Sequence, residues 1–232
     1  ALPVGLLWFR EPQPHERPPG ISDEHGNVAG QTLKEAMGGY RFWLLFLSIL
    51  IIAAAYGGAH IHMAQIVGLH GFQPATAASV MGVVAIGLFA GRVIVGLLFD
   101  RFWAPGVAFP VLLMPAIACW LLMGTGSSLS ALMLGGFLLG FAAGAESDVI
   151  AYMASRYFGM AHFGRIYGVL YMPFGIGSAI SPILYGASRD ATGNYDVMLT
   201  AAIFMFATGG AMLLALGRYP DASAPEPELQ AA

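Results

Sequence analysis

Charge is what this sequence has least of: Asp, Glu, Lys and Arg make up 10% of its 232 residues, against roughly 25% in a water-soluble domain. That is too little to cover a water-facing surface, and a formal net charge of −3 leaves no basic face for nucleic acid. Cysteine is nearly absent. The single Cys119 has no intrachain partner, so disulfide chemistry neither staples the fold nor reports the compartment. The motifs of a membrane-embedded hydrolase, Gly-x-Ser-x-Gly and His-Glu-x-x-His, are missing, as is a P-loop that would couple ATP. Gly175-Ile176-Gly177 follows no strand, so it is no dinucleotide loop. His60, His62 and His70 lack a defined fourth ligand. No enzyme activity, cofactor or metal is expected.

What the chain has in abundance is apolar length. Hydrophobic residues reach 57%, in six runs at about 40–66, 75–99, 104–123, 129–155, 163–187 and 195–216. Each is long enough for a helix of about 20 residues to cross a bilayer. The runs are too long and too unalternating for barrel strands, and they carry no polar face for water. Prolines inside them (Pro110, Pro115, Pro173, Pro182) are tolerated in membrane helices, where neighbours satisfy the freed carbonyls. The fold class is therefore all-α integral membrane. Residues 1–9 form an apolar run too short to span, read as the cytoplasmic end of an earlier helix. Residues 10–39 read as a polar central loop, 40–217 as a six-helix bundle and 218–232 as a polar tail. Gly87/Gly91, Gly140/Gly144 and Gly164/Gly168 have the small-xxx-small spacing that lets membrane helices approach closely.

Basic residues orient the bundle. With the 10–39 loop in the cytoplasm, Arg10, Arg17, Lys34, Arg41, Arg101, Arg156, Arg165 and Arg218 fall on the cytoplasmic side. Only Arg189 falls opposite, and Arg92 lies inside a span. The bias follows the positive-inside rule and puts both ends of the chain in the cytoplasm, with the plasma (inner) membrane the expected location.

The segment Gly91-Arg92-Val93-Ile94-Val95-Gly96-Leu97-Leu98-Phe99-Asp100-Arg101 resembles the loop signature of the major facilitator superfamily. The polar loop, six spans and the Gly/Pro-rich fifth span (Gly175 to Pro182) extend the likeness across the chain. Phe102-Trp103-Ala104-Pro105 replaces the glycine and second basic residue with which the family motif continues. The resemblance implies the six-helix C-terminal half of a twelve-helix fold, helices seven to twelve, whose N-terminal half lies outside this chain. It also implies alternating access about a midplane site, by symport or antiport. In that motif Gly96 would allow close helix approach. Asp100 would sit at the cytoplasmic surface with Arg101, where Arg156 is the partner for a gate latch; the alternative is that both only anchor their helices.

Arg92 lies eight residues before Asp100, about 12 Å deeper at 1.5 Å per residue. A charge there needs a counter-ion or a substrate. Its place resembles the substrate-carboxylate ligand of the monocarboxylate and oxalate:formate branch, although Leu88 stands where that branch often has an Asp one turn earlier. The other reading is a permanent pair with an acid on the fourth span. That span offers Glu146 and Asp148 at matching depth, about 200° apart around the helix, so only one can face Arg92. Either is a candidate for proton coupling or a buried ion pair. Tyr56 and His60, one turn apart on the first span, are further substrate-binding candidates. The expected cargo is a small organic anion, a monocarboxylate foremost, moved with a proton or against a counter-anion. The alternatives are another solute (sugar, drug or amino acid) or a polytopic membrane protein that transports nothing.

Overall fold

Apolar runs without a polar face can satisfy their backbone inside lipid only by bonding each N–H four residues back along the same segment. The computed structural model, which describes residues 30–220, is built this way. Residues 1–9, most of the 10–39 loop (with Arg10 and Arg17) and residues 221–232 of the tail lie outside the described residues. Two short helices, α1 (Leu33–Gly38) and α3 (Met63–Leu69), accompany six that are long and apolar enough to cross a membrane. The six are α2 (Tyr40–Ile61), α4 (Pro74–Phe99), α5 (Ala104–Leu122), α6 (Leu129–Phe158), α7 (Phe163–Thr192) and α8 (Asp196–Leu214). Among the described residues there is no β-strand.

α1 is closed by a capping box: the Glu35 N–H donates to the Thr32 hydroxyl at 3.3 Å and the Thr32 N–H to the Glu35 carboxylate at 2.8 Å. Those bonds hold Glu35 below the usual carboxylate range. The segment before α1 docks on the end of α6, where the Gln31 N–H donates to the Phe158 carbonyl at 2.8 Å.

The first span departs from expectation. It stops at Ile61 and restarts at Met63 rather than running to residue 66. Side chains of α7 bond to α2 through the turn before the break. Ser181, fully buried, stands across the step from Gly58 to Ala54 that a regular helix closes directly. Its hydroxyl accepts from the Gly58 N–H at 2.6 Å and donates to the Ala54 carbonyl at 2.5 Å. Tyr185 donates to the next carbonyl, Ala55, at 2.9 Å. At the break, His62 Nε2 lies 3.1 Å from the Pro182 carbonyl, which can only accept, so Nε2 carries the proton. Nδ1 then accepts from the Tyr195 hydroxyl at 3.1 Å, and Tyr195 in turn accepts from Arg189 at 3.3 Å. Ser181→Ala removes both hydroxyl bonds and is expected to cost about 1–3 kcal/mol. A lowered melting temperature in detergent checks this; an unchanged one would mean that the direct helix bond takes over.

α4 packs along α6 and α7 along α2, with α5 and α8 behind. The α4–α6 seam is made by glycine. A Cβ on Gly136, Gly140 or Gly144 would run into Val80, Val84 or Leu88, and one on Gly87 or Gly91 into the backbone of Phe137 or Phe141. The close approach expected at Gly96 is absent, since a Cβ there would meet nothing within 4 Å; the buried face continues instead through Val95 and Phe99. Gly164 and Gly168 likewise face open space. Along the seam, residue n of α4 opposes residue n + 56 of α6, a constant offset that marks two parallel helices in fixed register.

Candidate functional site

That register carries Arg92 to Asp148, one turn past the Leu88–Gly144 contact. Arg92 Nε donates to Asp148 Oδ2 at 3.3 Å, and Nη2 donates to the Ser147 hydroxyl at 2.7 Å. The Ser147 hydroxyl in turn donates a hydrogen bond to Asp148 Oδ1 at 3.4 Å, closing a three-residue ring. One edge of the guanidinium is thereby held, while Nη1 has no hydrogen-bond partner among the described residues. The Arg92 and Asp148 side chains are 57% and 41% exposed. An exposed ion pair about 12 Å inside the helix ends would cost several kcal/mol if it faced lipid.

Glu146, two residues earlier, points the other way, as the helical rotation requires. It is buried where α2, α5, α6 and α8 meet, in a cavity of about 20 Å³ lined by Ile49, Ile52, Val111 and Leu213. No cation faces it, and its Oε1 has no hydrogen-bond partner among the described residues. Ser48, the other polar side chain of that cavity, donates to the Gly209 carbonyl at 2.8 Å.

Tyr56 and His60 stack on α2 with ring centroids 5.6 Å apart. Tyr56 stands within electrostatic range of Glu146, and no hydrogen bond among the described residues joins this pair to Arg92. His62 and His70 are occupied structurally, His62 by the bonds at the helix break and His70 between the Leu122 carbonyl and the Ser127 N–H.

At the Asp100 end, the same offset places Asp100 opposite Arg156. Both line a cleft of about 800 Å³ with Arg101, Trp103 and Tyr219, yet no ion pair joins them among the described residues. Arg156 lies over the Tyr219 ring at 4.8 Å and the Tyr152 ring at 5.9 Å. Tyr152 also fastens α6 to the end of α4, donating to the Phe99 carbonyl at 2.9 Å. Burial pushes the Tyr219 hydroxyl above its ordinary phenol value, and the Ala104 N–H donates to it at 2.9 Å.

A stripe of rings on α7 escaped the sequence reading. Phe163, Tyr167, Tyr171 and Phe174 touch in succession, with centroids 5.4, 5.5 and 5.0 Å apart. Their spacing along the helix was the available signal, but it does not say whether such a face is covered.

Six apolar helices in this arrangement, with an exposed charged pair about 12 Å from the helix ends, define a polytopic α-helical membrane protein. Its fold is that of one six-helix half of solved major facilitator superfamily transporters. It matches a crystal structure of a variant of the Escherichia coli fucose:proton symporter FucP with a TM-score of 0.67 at 16% identity. The match covers 94% of this chain and 52% of that one. FucP in the outward conformation matches with a TM-score of 0.66 at 17% identity, over the same shares. In sequence, the 3-(3-hydroxy-phenyl)propionate transporter of Escherichia coli (strain K12) is 29% identical over 150 residues, 64% of this chain and 37% of that protein. The chain thus spans about half of the solved structures and little more than a third of that relative. No family model matches it. These relatives are transporters, not enzymes.

Proposed function

We propose that this chain is the C-terminal half of a secondary active transporter that moves a small organic anion, a monocarboxylate foremost, by alternating access. The observation that carries the reading is the Arg92 guanidinium, held at mid-depth by Asp148 and Ser147 with its side chain 57% exposed. Arginine is suited to the task, because two parallel charge-assisted bonds fix a planar carboxylate. The sequence relative is named for a propionate, which is a carboxylate.

Proton symport or anion exchange powers the cycle, with Glu146 as the group that takes up and releases the coupling proton. Its support is a buried carboxyl without a counter-ion; the solved neighbour is named a fucose:proton symporter. Asp100, Arg101 and Arg156 form the cytoplasmic gate, with both ends of the chain in the cytoplasm and the N-terminal six helices supplying the other wall of the cavity.

Uptake into proteoliposomes by the full-length protein tests this reading. Carboxylates are expected to be carried and neutral sugars of similar size left behind; a neutral sugar carried in preference overturns it. With Glu146→Gln, accumulation driven by a proton gradient is expected to fall to passive equilibration while anion exchange continues. Gradient-driven uptake at the parental rate removes Glu146 from coupling.

A further inference from the structure

We propose that the open face of α7 carries an aromatic platform, centred on Tyr171 with Tyr167 and Phe174 beside it, that takes the ring of an aryl-bearing carboxylate. This names the substrate class of the site above and rests on the reading of Arg92 as the carboxylate ligand.

Three features set the platform level with the Arg92 pair and leave it uncovered by the bundle. The first is depth. Tyr171 lies eight residues from the start of α7, as Arg92 lies eight before Asp100 and Asp148 eight before Arg156, so all three stand about 12 Å in from the same end. The second is proximity. Tyr167 is within electrostatic range of Asp148, the acid that holds Arg92 at 3.3 Å. The third is that the face is open. α4 and α7 bury only 28% of their apolar windows inside the bundle, against 39–56% for the other four spans, and Tyr171 is 38% exposed.

The hydroxyls are also uncommitted. Tyr152, Tyr157, Tyr185 and Tyr195 each donate to a described residue and so fasten one helix to another. Tyr167 and Tyr171 hydrogen-bond to no described residue, and the aromatic rings they meet are the stripe's own members; Tyr167 and Phe174 rest partly on the core while Tyr171 stands exposed. Rings already spaced about 5 Å apart extend by one more ring at the offset-stacked or edge-to-face separations of about 4.5–7 Å that aromatic pairs prefer. A saturated ring of the same size fills the volume without that quadrupole match. The platform therefore distinguishes aryl from alicyclic acids that present the same carboxylate to Arg92.

Uptake of phenylacetate and cyclohexylacetate by the reconstituted full-length protein tests this, in the parent and in Tyr171→Leu, Tyr171→Phe and Arg92→Gln. The parent is expected to favour phenylacetate. Tyr171→Leu should raise the KM for phenylacetate about two- to tenfold, the range an aromatic contact supplies, and leave cyclohexylacetate unchanged. Tyr171→Phe should keep the preference. If the parent treats the two acids alike, or Tyr171→Leu weakens both equally, the ring site is overturned and the stripe is a packing face. Parental uptake of both acids by Arg92→Gln instead overturns the carboxylate reading beneath it, so the two failures are distinguishable.

Discussion

Arg92→Ala is expected to lower carboxylate uptake at least about 10²-fold, the equivalent of about 3 kcal/mol, which lies within the range for truncating one partner of a hydrogen-bonded charge pair. The alanine variant also leaves Asp148 and Ser147 without the donor they share, so loss of uptake alone would not separate ligand from structural pair. The double variant Arg92→Ala, Asp148→Asn does separate them. It deletes both charges, so no uncompensated ion remains at mid-depth and the helices keep their glycine seam. If Arg92 binds the carboxylate, the double variant folds and still fails to transport. If the pair only ties α4 to α6, the double variant transports at the parental rate, and the ligand assignment falls. Arg92→Lys is expected between the two, with the charge kept and the two-bond geometry lost.

The parts of this molecule that could be read from the chain are those set by local physics. Six spans and their ends follow from apolar run length and from the charges and turns that stop the runs, and most helix ends fall within a few residues of those limits. That Glu146 and Asp148 face opposite ways follows from helical rotation alone. Which of them meets Arg92 does not follow, because that depends on how far α4 is shifted along α6. The break at His62 was illegible for a related reason. Residues 63–69 are as apolar as the helix before them, and the groups that bond His62 there, the Pro182 carbonyl on α7 and Tyr195 at the start of α8, are 120 and 133 residues away. The glycine pairs show both sides. Spacing picked out three, a partner helix uses two, and Gly136 was overlooked although it continues the Gly140–Gly144 row by one turn. The ring stripe on α7 had a visible period, but its meaning turns on whether another helix covers that face.

The seam itself yields the other large expected effect, because the register it sets decides where Arg92 lies. Gly144→Ala places a methyl group 2.0 Å from the Leu88 carbonyl oxygen, and Gly91→Ala one 1.9 Å from that of Phe141. Both obstacles are backbone within a rigid helix, so no side-chain rotation relieves them. α4 and α6 must separate, at a cost at or above the upper end of the about 1–3 kcal/mol usual for overpacking. Each variant is expected to give little monodisperse protein in detergent. Whatever folds should transport poorly, since an Arg92–Asp148 contact of 3.3 Å does not survive helices moved apart by an ångström or more. Gly168→Ala is the matched control. It has the same four-residue spacing to another glycine but nothing within 4 Å, so it should stabilise its helix by about 0.5–1 kcal/mol as an ordinary Gly-to-Ala change does. Equal tolerance of all three substitutions would mean that α4 and α6 do not meet along this seam, and the geometry of the anion site would go with it.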